Sequence, residues 1–140
     1  MIDVLLVYTD GASVKPSTSH AGIGIVFYDD QGTELAKHSE YVGERTCNEA
    51  EYMAVIRALE LAPAHCRRKV IIHSDSELIV RQLNKIYCIK TPHLLPLERQ
   101  IRAAEPTFEA VEYRHVPREA ERLRVADGLS REAIADRAKH

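Results

Sequence analysis

The sequence has few of the residues that build disulfide frameworks, cysteine metal cages or membrane spans. Its 140 residues include three cysteines, Cys47, Cys66 and Cys88, which are widely spaced and form no C-x-x-C pair. This odd number and this spacing argue against both a disulfide framework and a zinc cage. Apolar runs such as residues 4–8 are far shorter than the ~20 residues that a membrane-spanning helix needs.

The first residues do not have the pattern of a secretory targeting signal. The chain begins Met-Ile-Asp, with an acid where a secretory signal peptide carries positive charge, and no small-residue cleavage site follows. We therefore expect a soluble, reduced, intracellular domain with a cytoplasmic location and no membrane partner. The composition, 45% hydrophobic and 29% charged, and the length fit one globular domain over residues 1–140.

Neither sign of charge dominates the chain, whose net charge is −2, but the two halves differ. Residues 1–64 carry four Lys and Arg against ten acids, a balance of −6, and residues 65–140 carry fifteen against eleven, a balance of +4. Such asymmetry suits an acidic centre beside a basic surface, as in a metal site that handles nucleic acid. Ordinary solvated faces also produce it, so charge alone leaves both interpretations open.

Hydrophobic periodicity predicts an α/β fold with the element order β-β-β-α-β-α-α-β-α. Thr46 and Glu49 form an S/T-x-x-E capping box at the start of the first helix. We expect a mixed five-stranded sheet with helices on both faces. Its first three strands form an antiparallel meander, and its first, fourth and fifth strands are parallel, with the first in the middle. The predicted strands are residues 2–9, 21–28, 33–42, 69–73 and 108–115, and the predicted helices are 46–62, 77–84, 94–104 and 125–138.

Four carboxylates, Asp10, Glu51, Asp75 and Asp127, occupy positions that strand and helix formation alone do not explain. Asp10 ends the first strand and Asp75 follows the fourth, so adjacent parallel strands bring both to the edge where α/β sheets bind ligands. Glu51 lies one turn into the first helix, at the edge of its buried stripe, and points toward the first strand. Asp127 lies at the start of the last helix.

Carboxylates that converge without matched Lys or Arg repel each other unless a cation neutralises them. Oxygen-only ligands favour hard ions such as Mg²⁺ or Mn²⁺ over zinc. Two such ions about 4 Å apart support in-line attack on a phosphodiester. Taken singly, each of the four residues also fits a turn, a cap or a helix surface, so their shared location carries the metal hypothesis.

Four short motifs resemble type 1 ribonuclease H, in that family's order and over essentially the whole chain. They are residues 9–13 (TDGAS), 48–54 (NEAEYMA), 74–80 (SDSELIV) and 116–119 (VPRE), the last followed by Ala126 and Asp127.

The resemblance implies an endonuclease that cuts the RNA strand of RNA–DNA hybrids and leaves 5′-phosphate and 3′-hydroxyl ends. It implies two Mg²⁺ ions per site, and Mn²⁺ is expected to be able to substitute. We also expect the protein to be a monomer. The catalytic residues and metal ligands that it implies are Asp10, Glu51, Asp75 and Asp127. The substrate contacts that it implies are Asn48 on the nucleic-acid backbone and Thr46 and Ser76 near a DNA-strand phosphate. Gly11 and Ser13, whose backbone groups stand where 2′-hydroxyls would pass beside the metal site, and Arg118 are further candidate substrate contacts.

The chain departs from the family pattern in three places. Residues 85–96 are too short and too poorly basic for the basic protrusion of some members, which is typical of the compact subgroup. Residues 120–125 lack the Asn often found before the last carboxylate. The flexible-loop histidine of some members has no match, and His115 or Arg118 is a candidate for its role in product release.

Three other functions share part of this sequence pattern. A transposase, resolvase or exonuclease of related fold also clusters carboxylates, but usually needs insertions or a second domain. A haloacid-dehalogenase-like phosphatase needs the motif D-x-D-x-T. The position two before Asp10 is Tyr8 instead of Asp, which excludes this function. A non-catalytic hybrid-binding module would not need all four carboxylates. The main alternatives are therefore such a module and another two-metal nuclease of the same fold.

Overall fold

The apolar segment at the start of the chain forms the central strand of the sheet in the computed structural model, which describes residues 1–137. The strands are β1 (Val4–Ser13), β2 (Ser19–Asp29), β3 (Glu34–Arg45), β4 (Lys69–Ser74) and β5 (Ala110–His115). The α-helices are α1 (Cys47–Leu61), α2 (Glu77–Leu83), α3 (Leu95–Ala104) and α4 (Glu121–Asp136). The sheet order is β3-β2-β1-β4-β5, with antiparallel β1–β2 and β2–β3 pairs and parallel β1–β4 and β4–β5 pairs. The predicted fold class, element order and sheet topology are confirmed.

The central strand is longer than predicted because its two neighbours differ in length. Pairing with β4 ends at Tyr8 and His73, whereas pairing with β2 continues to Ser13. The expectation that the strand ends at Asp10 is therefore wrong. Asp10 lies inside β1, in the part of the strand beyond its last β4 partner.

The capping box at the start of α1 is confirmed. The Thr46 hydroxyl accepts a hydrogen bond from the Glu49 amide at 3.1 Å, and the Glu49 carboxylate accepts one from the Thr46 amide at 2.8 Å. Beyond this cap the helix packs closely on β1. A Cβ added at Gly11 would lie 2.3 Å from the Ala50 carbonyl carbon, so glycine is needed for the approach.

The last helix, α4, packs against β2 just as closely, on the other side of the sheet. A Cβ added at Gly24 would lie 2.0 Å from the Ala126 carbonyl oxygen. The helix begins at Glu121, so the prediction that it begins at residue 125 and carries Asp127 at its start is wrong. Asp127 lies in its second turn. Residue 138, the predicted end, lies outside the described residues.

The cysteines and the helices are the features that bear on disulfides and membrane spans. All three cysteines are free. No helix within residues 1–137 is long and apolar enough to cross a membrane. One sheet and its helices account for these residues, and the extent of a single domain over 1–140 stays a prediction.

Candidate active site

Three acidic side chains meet at the carboxyl ends of β1 and β4. Asp10 comes from β1, Glu51 from the first turns of α1, and Asp75 from the residue after β4. One carboxylate oxygen of each lies within 4.8 Å of those of the other two. Asp10 and Glu51 are only 5% and 6% exposed, and Asp75 is partly exposed. The structure thus brings together three of the four carboxylates singled out from the sequence.

The Glu51 carboxylate is held between the two central strands. The Gly11 amide donates to its Oε1 at 3.0 Å, and the Ser74 hydroxyl lies 3.3 Å from its Oε2. The close approach of α1 to Gly11 makes the first bond possible. Since both oxygens are engaged from the protein side, the orientation of this carboxylate is set before any ligand binds.

The Asp10 carboxylate is held from the opposite side, by α4. The Ser130 hydroxyl lies 2.6 Å from Asp10 Oδ2 and 2.8 Å from the Asp127 carbonyl oxygen. Ser130 is fully buried. Sequence reasoning missed this residue, because the two partners are far apart in the chain and a lone serine in a helix carries no local signal.

Burial and mutual repulsion shift the acidities of this group in one direction. Burial raises the pKa of Asp10 from 3.8 to about 7; the Ser130 hydrogen bond opposes this, and the charges of Asp75 and Asp127 add to it. Burial, followed by the charges of Asp10 and Asp75, raises the pKa of Glu51 well above its usual range. Burial also raises the pKa of Asp75, opposed by Arg118.

These shifts reflect burial and mutual repulsion that the positive charge of Arg118 beside Asp75 offsets only in part. Among the ion pairs formed within residues 1–137, none involves Asp10, Glu51 or Asp75. A divalent cation would relieve the repulsion and stabilise the ionised carboxylates. Oxygen donors at this spacing are the ligands that Mg²⁺ and Mn²⁺ prefer, so the residues present fit such an ion.

The fourth carboxylate, Asp127, lies outside the group of three and is not unmatched. Its two oxygens accept from Arg131 Nε at 3.0 and 3.2 Å. The expectation of convergence without a matched Arg is therefore wrong for Asp127. The i, i+4 spacing of Asp127 and Arg131 is a local signal that sequence reasoning could have used.

A pocket of about 290 Å³ joins the carboxylates to most of the predicted substrate contacts. Its lining residues are Asp10, Gly11, Ala12, Ser13, Cys47, Asn48, Glu51, Asp75, Ser76, Arg118, Asp127 and Arg131. Thr46 is absent from this lining and caps α1 instead. Ser76 both lines the pocket and caps α2, its hydroxyl accepting from the Ile79 amide at 3.4 Å. Of the two candidates for product release, Arg118 lines the pocket and His115 does not.

Comparison with known proteins gives one family match and several full-length structural matches. Residues 8–133 match the family model described as "Reverse transcriptase-like". The crystal structure of RNase H1 from Halobacterium salinarum is 30% identical, with a TM-score of 0.88, over 95% of this chain and 98% of that one. LC11-RNase H1, isolated from compost by a metagenomic approach and solved in complex with an RNA/DNA hybrid, is 37% identical, with a TM-score of 0.86, over 97% and 99%.

Some relatives are longer than this chain. A bifunctional protein of Mycobacterium tuberculosis is 32% identical over 131 residues, which are 93% of this chain and 35% of the relative. Ribonuclease HI of Halobacterium salinarum is 33% identical over 131 residues, 92% of this chain and 63% of the relative. The chain thus spans about a third of the mycobacterial relative's length and under two thirds of the halobacterial one's.

Proposed function

The chain belongs to the type 1 ribonuclease H family, and we propose that it is an endoribonuclease that hydrolyses the RNA strand of RNA–DNA hybrids. The products are 5′-phosphate and 3′-hydroxyl ends. The observation that carries the proposal is the group of Asp10, Glu51 and Asp75, which line one pocket and are buried or partly buried. Within residues 1–137, none of the three forms an ion pair with a Lys or Arg side chain. A hybrid-bound relative at 37% identity supports the choice of substrate.

Proteins of this family use divalent metal ions, and two Mg²⁺ ions per site are proposed for this chain, with Mn²⁺ able to substitute. When bound, such ions activate the attacking water and stabilise the leaving 3′-oxygen. Asp10, Glu51 and Asp75 would hold them, and Asp127, at the same pocket, is the proposed fourth ligand. The pair with Arg131 uses one N–H group, so lone pairs of the Asp127 carboxylate remain for an ion.

The protein's own contribution is a carboxylate set that is already oriented. Glu51 is fixed by the Gly11 amide and the Ser74 hydroxyl, and Asp10 by the Ser130 hydroxyl. Such hydrogen bonds reduce the reorganisation needed when the cation and the scissile phosphate bind. The buried position of Glu51 and Asp10 strengthens their interaction with a cation by limiting solvent screening.

Recognition of the hybrid is assigned to the polar rim of the same pocket. Gly11, Ser13 and Asn48 are the proposed contacts to the RNA strand, where 2′-hydroxyls distinguish RNA from DNA. Ser76, with Thr46 nearby at the α1 cap, is the proposed contact to a DNA-strand phosphate. Arg118 places a positive charge beside Asp75, suited to holding a phosphate and releasing the product.

Two finer expectations belong to the proposal: the protein acts as a monomer, and it acts in the cytoplasm. Sedimentation equilibrium with and without hybrid tests the first. Localisation of the tagged chain in the cells that make it tests the second.

The experiment that tests the proposed function is a cleavage assay on four labelled substrates: RNA–DNA hybrid, duplex RNA, duplex DNA and a Holliday junction. Each is incubated with and without Mg²⁺, using wild-type protein and the Asp10→Asn variant. We expect Mg²⁺-dependent cutting of the hybrid's RNA strand by wild type only. Hybrid binding without cutting would favour a non-catalytic module, and cutting of duplex DNA or the junction would favour another two-metal nuclease.

A further inference from the structure

Ser130 is a fully buried polar side chain that neither composition nor motif spacing singled out. Its hydroxyl lies 2.6 Å from Asp10 Oδ2 and 2.8 Å from the Asp127 carbonyl oxygen. It therefore joins Asp10 of the central strand to the helix that carries the fourth carboxylate. A hydroxyl has one proton, and of these two acceptors the ionised carboxylate makes the stronger hydrogen bond.

The position of Ser130 depends on how closely α4 approaches the sheet. A Cβ added at Gly22 would lie 2.5 Å from the Ser130 carbonyl oxygen, and one added at Gly24 would lie 2.6 Å from the Ser130 amide nitrogen. Two residues without side chains thus let the backbone of this helical turn rest on β2. Because the backbone is fixed on both sides of Ser130, its short side chain has little freedom to move away from Asp10.

We infer that Ser130 is a positioning residue for Asp10: it holds one carboxylate oxygen so that the other is oriented toward the metal site. This inference rests on the proposed function. A bond to Oδ2 limits rotation of the Asp10 carboxylate about its last side-chain bond, in the way that outer hydrogen bonds orient metal ligands in other sites. It also links Asp10 to the α4 turn that holds Asp127.

A purely structural role would leave metal binding unchanged, and the chain offers a control that separates the two roles. The Ser39 hydroxyl donates to the Leu129 carbonyl oxygen at 2.7 Å, so it also ties α4 to the sheet, from β3 and without touching Asp10. Ser39→Ala removes a hydroxyl contact to the same helix. Ser130→Ala removes the contact to Asp10 and leaves the residue nearly the same size, and Ser130→Cys places a somewhat larger sulfur there that is a much weaker donor.

The test is calorimetric titration of Mn²⁺ into the substrate-free proteins, accompanied by thermal unfolding of the metal-free forms. We expect Ser130→Ala to raise the Kd for Mn²⁺ by about tenfold or more, Ser130→Cys to raise it by less, and Ser39→Ala to leave it within about twofold of wild type. On hybrid, Ser130→Ala should lower kcat by about tenfold or more without changing KM.

Unchanged Mn²⁺ affinity in both Ser130 variants, with only a lower unfolding temperature, would overturn the inference and leave Ser130 a packing residue. Ser130→Cys keeps a weak donor at the same position, so it provides a second comparison where Ser130→Ala unfolds. Failure of the proposed function would give a different result, because wild type would then bind Mn²⁺ and cut no hybrid. The Mn²⁺ affinities of the variants would still decide the role of Ser130.

Discussion

Replacing Asp10 by Asn should make the metal-free protein more stable while abolishing its activity. Burial, with the charges of Asp75 and Asp127 adding to it, raises the pKa of Asp10 from 3.8 to about 7 in the folded protein. The folded pKa lies above the unfolded one, so the stability that the protonated carboxyl provides is present at low pH and is lost as pH rises toward 7. Above pH 7 the folded protein carries the full cost of a buried, repelled carboxylate.

The size of this cost follows from the two pKa values. At about 1.4 kcal/mol per tenfold change in proton affinity, ionised Asp10 costs about 4 kcal/mol of unfolding free energy at pH 8 and under about 1 kcal/mol at pH 4. Asp10→Asn removes the charge, so the metal-free variant should gain up to about 4 kcal/mol at pH 8. That corresponds to roughly 10 °C or more in Tm for a chain of this length.

Urea and thermal unfolding of both proteins at pH 4 and pH 8, in chelator and in Mg²⁺, measures the effect. In Mg²⁺ the difference should shrink, since the ion stabilises wild type and has lost a ligand in the variant. Asp30→Asn, a change at an exposed turn carboxylate, is the control and should alter stability by less than about 0.5 kcal/mol. An equal gain in unfolding free energy at both pH values, or no gain in chelator at pH 8, would show that ionised Asp10 does not destabilise the metal-free protein.

Three further outcomes are expected. Asp127→Asn should retain more activity than Asp10→Asn in the same assay, because Asp127 lies outside the group of three. Wild-type turnover in Asp127→Ala would contradict its role as a ligand. Gly24→Ala should lower the free energy of unfolding in urea by about 1–3 kcal/mol, because the added Cβ would meet the backbone of α4. Gly128→Ala, where no atom lies within 4 Å of the added Cβ, should raise it by up to about 1 kcal/mol. Equal effects of the two substitutions would contradict the close packing of α4 on β2. Hybrid affinity measured by fluorescence anisotropy should fall steeply with salt, because Lys and Arg contacts to phosphates release counterions, and a flat dependence would exclude the basic half as the docking face.

Local signals account for most of the fold that could be predicted. The Thr46–Glu49 capping box lies within four residues, and alternating apolar residues mark the strands without knowledge of their partners. The end of β1 was missed because residues 10–13 are polar or small and are typical of a turn. Pairing with β2 alone keeps them extended. The start of α4 was missed because Ala120 provides no side-chain cap and residues 121–124 are mostly charged.

The site was predictable only as far as sheet topology could place its residues. Asp10 and Asp75 follow from parallel neighbouring strands, and Glu51 from the helical stripe that faces them. The Ser130–Asp10 contact joins opposite ends of the chain, and no local pattern indicates it. It depends on how closely α4 rests on β2, which is a property of the packed tertiary structure.

Replacing 2′-hydroxyls of the RNA strand near one cut site by 2′-methoxy groups tests whether this chain recognises and cuts RNA in a hybrid. The change keeps the charge and base pairing of the RNA strand and removes the hydroxyl donors that the rim of the pocket is proposed to read. With Mg²⁺ present, cutting should stop at the modified positions and continue elsewhere on the same strand. Undiminished cutting at those positions, or equal cutting of an all-DNA duplex, would contradict the account.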